Sequence, residues 1–113
     1  MLVRFGDVAE IAEPSNDLVL RPLVDRTSGE GNLSVTWVRL AGRHRRLRTD
    51  RSTRLYYIVE GDGWFVLGEE PEVAIHAGDV VVVPRGTTYA LGGELTYLVV
   101  NGPAFAPGDD IYL

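Results

Sequence analysis

The sequence predicts a single all-β domain, because its apolar runs are short and closely spaced and because helical periodicity is almost absent. Apolar runs alternate with clusters of turn residues at intervals of roughly 8 to 12 residues, the spacing typical of sandwiches, jelly rolls and small barrels. Only Val8 to Glu13 is predicted to form a short helical turn. With 113 residues, 45% of them hydrophobic, the chain has the size and composition of one globular domain.

The first half of the chain is predicted to contain four strands. Each is an apolar run that ends at residues suited to tight turns, such as Gly29 to Asn32. Asp62-Gly63 lies between two such runs and predicts a hairpin turn. The four strands are predicted at Val19 to Val24, Leu33 to Leu40, Leu55 to Glu60 and Trp64 to Leu67.

The second half is predicted to contain four more strands, separated by Gly78-Asp79, by Pro84 to Gly86 and by Gly92-Gly93. The Pro- and Gly-rich stretch 102–108 is predicted to lie over the surface as a tail. The strands are predicted at Glu72 to His76, Val80 to Val83, Tyr89 to Leu91 and Leu95 to Asn101.

The amino-acid composition excludes several kinds of site. The chain has no cysteine, so disulfides, zinc fingers, iron–sulfur clusters and cysteine nucleophiles are excluded, and its two histidines are too few for a His-rich metal site. The N-terminus lacks the pattern of a signal peptide and no stretch approaches the roughly 18 apolar residues of a membrane span, so we predict a cytoplasmic protein with no membrane partner.

Positive charge is concentrated in one segment of an acidic protein. The net charge is −5, but residues 43–54 contain six arginines and one aspartate. The acidic remainder would repel a nucleic acid, so we predict a small anionic or carbonyl-bearing ligand and no nucleic-acid partner. The apolar N-terminal run Met1 to Phe5 predicts a strand exchanged between two copies, and therefore a homodimer.

Two local patterns resemble the conserved motifs of the cupin superfamily. In the region of about 42–63, Gly61 matches the closing glycine of the first motif. In the region of about 78–93, Gly78, Pro84 and Gly86 match the second motif at its full spacing. The resemblance implies that residues 1–113 form one double-stranded β-helix, or jelly-roll barrel.

The same resemblance implies that the usual metal ligands are absent. Arg54 occupies the position of the glutamate ligand, and a guanidinium repels a cation instead of coordinating it. The resemblance therefore implies a barrel without iron, manganese or zinc, and we predict no cofactor. At the other ligand positions stand Leu47 and Thr49 (or, with the shorter spacing, Arg48 and Asp50), Tyr89, and Gly93 where the family has asparagine.

Arg54 and Tyr89 are the first candidate catalytic residues. If the strand parity of the family holds, Arg54, Tyr56 and Ile58 line a cavity opposite Tyr89 and Leu91. A guanidinium there would bind an anion or an enolate, and it would lower the pKa of Tyr89 so that this phenol serves as acid or base. Alternatively, these residues fill a lost metal site and the cavity is vestigial.

The remaining candidates each have a structural alternative. His44 is a candidate general base, although a solvated loop histidine is the commoner outcome. Trp37 and Trp64 could form an aromatic wall of the ligand site, or they could belong to the core. Leu47 and Thr49 are predicted to line the ligand site.

Three functions follow from these candidates. The first is a metal-independent isomerase, epimerase, cyclase or dehydratase, in which Tyr89 is acid or base and Arg54 stabilises negative charge. The second is a binding or sensing module that uses the same cavity without turnover. The third is a metal-dependent enzyme with displaced ligands such as His44 and Asp50.

Overall fold

Three long antiparallel strands form the body of the structure, a computed structural model that describes residues 1–113. The strands pair in the order β1-β2-β3-β7-β4-β5, with β6 on β4 and β8 on β3. This is the all-β, jelly-roll architecture that the sequence predicted. The strands are β1 (Ile11–Glu13), β2 (Leu18–Val24), β3 (Ser34–Arg48), β4 (Thr53–Leu67), β5 (Val73–His76), β6 (Val80–Val83), β7 (Tyr89–Gly102) and β8 (Ile111–Tyr112), and 3₁₀ helices span Phe5–Asp7 and Pro14–Asn16.

Two predicted turns lie inside continuous strands. Asp62-Gly63 belongs to β4, which pairs with β7 on both sides of it, so the predicted hairpin is wrong. Gly92-Gly93 lies within β7 in the same way. β3 likewise continues past the predicted end at Leu40 to Arg48.

The glycines serve to bend the sheet instead of reversing the chain. Gly93 is paired with Gly42 on one side and with Gly63 on the other, so glycines on three adjacent strands lie in one row. A Cβ atom at Gly93 would lie 2.6 Å from the carbonyl oxygen of Asp62. The backbones therefore approach too closely for any side chain, which lets the long strands fold over and serve both walls of the barrel.

Gly61→Ala is expected to destabilise the protein by about 2 kcal/mol more than Gly78→Ala. Both glycines have positive φ, +96° and +92°, so both substitutions carry the same backbone penalty. Only at Gly61 does the added Cβ meet an atom, the carbonyl oxygen of Glu94 at 2.0 Å. Urea denaturation of the two variants measures the difference, and equal losses would contradict the close approach.

The N-terminal predictions are corrected by the structure. Val8 to Glu13 forms no helical turn, because Ile11–Glu13 pairs with β2 as strand β1. Met1 to Phe5 forms no strand either, because Phe5 begins a 3₁₀ helix and packs edge-on against Trp37 at 5.0 Å between ring centroids. A strand exchanged with a second copy, and with it the homodimer, stays a prediction.

The C-terminal segment closes one end of the barrel, where the sequence predicted a surface tail. Ala104 is buried, and the Ser52 hydroxyl donates a hydrogen bond to the carbonyl of Pro103 at 2.7 Å. β8 then pairs with the end of β3 at Leu47 and Arg48. The barrel beneath contains a core of thirteen buried apolar and aromatic side chains. None of the helical segments has the length and apolarity needed to cross a membrane.

Candidate active site

A cavity of about 370 Å³ lies at the end of the barrel that the C-terminal segment covers. Three other depressions of similar or larger volume contain neither histidine nor tyrosine. This cavity combines titratable groups with an apolar wall, as small-molecule sites do. Its polar lining is Glu13, Thr36, His44, Arg54, Tyr56, Tyr97, Asn101 and Asp110, and its apolar lining is Leu18, Leu20, Pro22, Val38, Val99 and Phe105.

Arg54 is directed into the barrel by the alternation of β4. Residues 54, 56 and 58 of this strand are buried, whereas Tyr57 is exposed, so the predicted inward parity is confirmed. Arg54 is only 4% exposed. One terminal nitrogen donates to the Tyr89 hydroxyl at 2.8 Å and the other pairs with the Asp110 carboxylate.

Arg54 keeps its positive charge although it is buried. Burial disfavours the charge, but the neighbouring Tyr89, Tyr56 and Asp110 raise the pKa of Arg54 above its ordinary value. Both phenols are neutral near pH 7, so Asp110 supplies the compensating negative charge. The site therefore holds a fixed guanidinium with further N–H groups available for a ligand.

Two tyrosines extend from Arg54 as a hydrogen-bonded line. The Tyr89 and Tyr56 hydroxyls are 2.7 Å apart. Tyr56 lines the cavity, whereas Tyr89 lies behind it, 1% exposed, with its ring stacked on Phe65. The phenol in reach of a ligand is therefore Tyr56.

The predicted lowering of the Tyr89 pKa is wrong. Burial raises the pKa of Tyr89 and outweighs the opposing effect of Arg54. Burial also raises the pKa of Tyr56 well above its ordinary value. Both phenols stay protonated at neutral pH, so they act as hydrogen-bond and proton donors and not as phenolate bases.

His44 lies in the cavity wall and is buried, so it is not a solvated loop residue. A bulge between His44 and Leu47 lets both side chains point inward. Its Nδ1 atom lies 2.8 Å from the backbone carbonyl of Arg45, which can only accept. Nδ1 therefore carries the proton, and Nε2 is left as a base without a partner in the protein. Burial lowers the pKa of His44, which keeps the ring neutral at pH 7.

Six other residues predicted to form the ligand site lie outside this cavity. Ile58, Leu47, Leu91 and Thr49 are completely buried in the barrel beneath it. Trp37 packs on Phe5 on the other side of the sheet. Trp64 lies under the guanidinium of Arg43, 4.9 Å from the ring centroid.

Sequence reasoning missed several lining residues. Asn101 has the same parity as Tyr89 on β7, so a continuous strand would have predicted it, but the predicted turn at Gly92-Gly93 separated the two residues. Glu13 and Asp110 carried no local signal, because they reach the cavity only when both ends of the chain fold across its mouth.

The residues of the cavity do not fit a transition-metal ion. No group of three or more His, Cys, Asp or Glu side chains is arranged to hold one. Arg54 places a positive charge in the site, and a cation there would be repelled. Asp50, which the metal alternative paired with His44, is half-exposed and forms an ion pair with Arg48 at 2.7 Å.

Comparison with known proteins gives matches over most of the chain. A family model described as Cupin matches residues 19–108. The fold is similar to that of Pac13 from Streptomyces, described as a nucleoside dehydratase, with a TM-score of 0.85 and 23% identity over 100% of this chain and 90% of Pac13. Three variants of Pac13, two with a tyrosine changed to phenylalanine and one with a histidine changed to glutamine, were solved with uridine.

Two further structures share the fold. Ectoine synthase from P. lautus has a TM-score of 0.85 and 14% identity, over 100% of this chain and 89% of that protein. A predicted oxalate decarboxylase from Thermotoga maritima has a TM-score of 0.82 and 18% identity, over 91% of this chain and 99% of that protein. No curated protein matches the chain in sequence.

Proposed function

This chain belongs to the cupin family, and from that premise we propose that it is a metal-independent dehydratase acting on an uncharged, carbonyl-bearing nucleoside. The observation that carries the proposal is the buried line from Arg54 through Tyr89 to Tyr56, which ends at a cavity that His44 also lines. A fixed positive charge, a protonated phenol and a neutral imidazole thus meet at one site.

These three groups match the requirements of water elimination next to a carbonyl. A base must take the proton from the carbon beside the carbonyl, an electrophile must stabilise the enolate, and an acid must protonate the leaving hydroxyl. We assign the base to Nε2 of His44, the electrophile to Arg54 and the acid to the Tyr56 hydroxyl. Tyr89 positions Arg54 and Tyr56, because its hydroxyl hydrogen-bonds to both.

The reaction balances in protons and electrons. His44 takes the proton, and the electron pair of the broken C–H bond forms the enolate beside Arg54. As the enolate collapses, its electrons form the new C=C bond, the C–O bond of the hydroxyl group breaks, and the proton of Tyr56 leaves with the hydroxide as water. His44 then returns its proton to Tyr56, and the net change is the loss of one water molecule.

The charge of the cavity supports an uncharged substrate. Arg54 is balanced by Asp110, and Glu13 adds a second carboxylate to the lining. The sequence favoured an anionic ligand, because it did not indicate that Glu13 and Asp110 line the cavity. The carbonyl alternative is the one we propose, since an additional anion would meet two carboxylates and one guanidinium.

The choice of a nucleoside rests on likeness to Pac13. That protein is described as a nucleoside dehydratase and was solved with uridine in variants at tyrosine and histidine, the residue types that line the cavity here. The whole length of this chain matches its fold.

The test is incubation of the purified protein with uridine derivatives that carry a carbonyl in the ribose, the 5′-aldehyde and the 3′-ketone. Each has a hydroxyl β to the carbonyl. We expect loss of one water molecule, detected by mass spectrometry, from one of them and not from uridine itself. Tight binding of these compounds without any product would favour the non-catalytic binding module instead.

Uridine is expected to bind at least about 10-fold more tightly than its 5′-phosphate, because the phosphate would add negative charge to a cavity lined by two carboxylates, Glu13 and Asp110, and one guanidinium. Isothermal titration calorimetry at low ionic strength measures both affinities. Equal or tighter binding of the phosphate would refute the uncharged substrate while leaving the dehydratase proposal in place.

Tyr56→Phe is expected to lower kcat by about 100-fold, and Tyr89→Phe by about 10-fold with KM unchanged. The first removes the proton donor. The second only releases Arg54 and Tyr56 from their common partner. Steady-state kinetics and thermal unfolding of both variants separate the roles, since a purely structural Tyr89 would lower Tm without lowering kcat.

A further inference from the structure

Building on the proposed nucleoside substrate, we propose that Asn101 recognises the base, and that the base is uracil. The side-chain amide of Asn101 would accept a hydrogen bond from the ring N3–H and donate one to an adjacent carbonyl. Nothing in the proposed chemistry of elimination uses this residue.

Asn101 is a buried polar side chain without a partner. It is 5% exposed and lines the cavity. Its Oδ1 atom is buried and accepts no hydrogen bond. Leaving such an acceptor unpaired costs about 1–3 kcal/mol, and native proteins rarely tolerate it without a reason. A ligand that donates a hydrogen bond would remove this cost.

The neighbours of Asn101 form their hydrogen bonds with other groups, and the Nε atom of Arg54 is, like the Asn101 Oδ1 atom, buried without a partner. It pairs in register with Ser34 on β3 and with Arg54 on β4. The Ser34 hydroxyl accepts a hydrogen bond from the backbone N–H of Phe105 at 2.9 Å, and the terminal nitrogens of Arg54 bond to Tyr89 and Asp110. The amide is therefore left without a hydrogen bond from its neighbours, at the wall of the cavity.

The amide has the hydrogen-bonding pattern of an imide edge. It offers an acceptor and a donor side by side, and uracil offers the complementary donor and acceptor. The half-exposed ring of Phe105 lines the same cavity and is held near Asn101 through Ser34, so it provides a surface on which a planar base can stack.

The strand register places Asn101 and Glu13 at opposite ends of the cavity. Glu13 pairs with Leu18 at the start of β2, whereas Asn101 pairs with Ser34 at the start of β3, beside the end of β2. A nucleoside that lies along β2 would thus place its base at Asn101 and its ribose towards Glu13.

The test compares uridine with N3-methyluridine, which lacks the N3–H donor, by calorimetric titration of the unmodified protein, Asn101→Leu and Asn32→Leu. We expect the unmodified protein to prefer uridine by at least about 10-fold, the value of one good hydrogen bond. Asn101→Leu should bind both compounds equally. Asn32→Leu, the same change at an exposed site, should keep the preference.

Stability gives a second readout. Because the amide makes no bond within the protein, Asn101→Leu should unfold at the same urea concentration or a higher one. If this variant fails to fold, Asn101 holds the barrel together and the proposal is overturned for this residue; Asn101→Ala then checks the result with a smaller side chain.

Three binding or kinetic results would also overturn the inference. They are equal binding of both compounds by the unmodified protein, a preference for uridine that persists in Asn101→Leu, and an equal loss of kcat for every substrate in Asn101→Leu, which would indicate that the amide only supports Arg54. Each of these leaves the dehydratase proposal in place. If the unmodified protein binds neither uridine nor its carbonyl derivatives, the proposed function fails, and this inference fails with it.

Discussion

Arg54→Gln is expected to lower kcat/KM at least about 1,000-fold and to destabilise the fold as well. The variant keeps hydrogen-bonding capacity but loses the charge that stabilises the enolate in the proposed mechanism. It also leaves the Asp110 carboxylate without its partner, so we expect a loss of stability of about 3 kcal/mol, at the lower end for a buried pair because Asp110 is partly exposed. Kinetics with a carbonyl-bearing nucleoside and urea denaturation measure the two effects.

The double variant Arg54→Gln/Asp110→Asn separates charge from folding. Removing both charges should restore much of the stability, since no unpaired carboxylate is left, but it should not restore turnover. Arg48→Gln is the matched control, because Arg48 forms an exposed pair with Asp50 and should change neither quantity by much. Full activity in the double variant would contradict the electrostatic role of Arg54.

His44→Gln is expected to lower kcat by about 100- to 10,000-fold, the usual contribution of a general base. The pH profile of the unmodified protein also tests whether His44 is the base. Burial lowers the pKa of His44 from its ordinary value of 6.5, so the base stays unprotonated at neutral pH. Activity should therefore be constant near pH 7 and fall only as the pH drops through a midpoint below 6.5.

His76→Gln is the control for this prediction. His76 is exposed and does not line the cavity. It pairs with Asp62 at 2.7 Å, and this hydrogen bond raises the pKa of His76. The substitution should change neither kcat nor the fall in activity at acidic pH, which we call the acidic limb of the pH profile. Persistence of that limb in His44→Gln would show that another group is the base.

The strand alternation and the special glycine positions could be predicted from the sequence. The two-residue alternation of β4 correctly placed Arg54 and Tyr56 inside the barrel, because side-chain direction in a strand depends only on local parity. The glycines were recognised as special positions but interpreted wrongly at Asp62-Gly63. A glycine permits both a tight turn and a close approach of two backbones, and only the paired strand distinguishes the two.

The chemistry of the cavity depended on contacts between distant parts of the chain. The local sequence predicted which residue types could be reactive, namely Arg54, Tyr89 and His44. It did not predict that burial would raise the pKa of Tyr89, since desolvation depends on packing from every side. Nor did it predict Asp110, which lies 56 residues from Arg54 in the chain and meets it only after the C-terminal segment has closed over the barrel. Strand identity and side-chain parity are local properties, whereas charge balance and solvent exclusion belong to the assembled barrel.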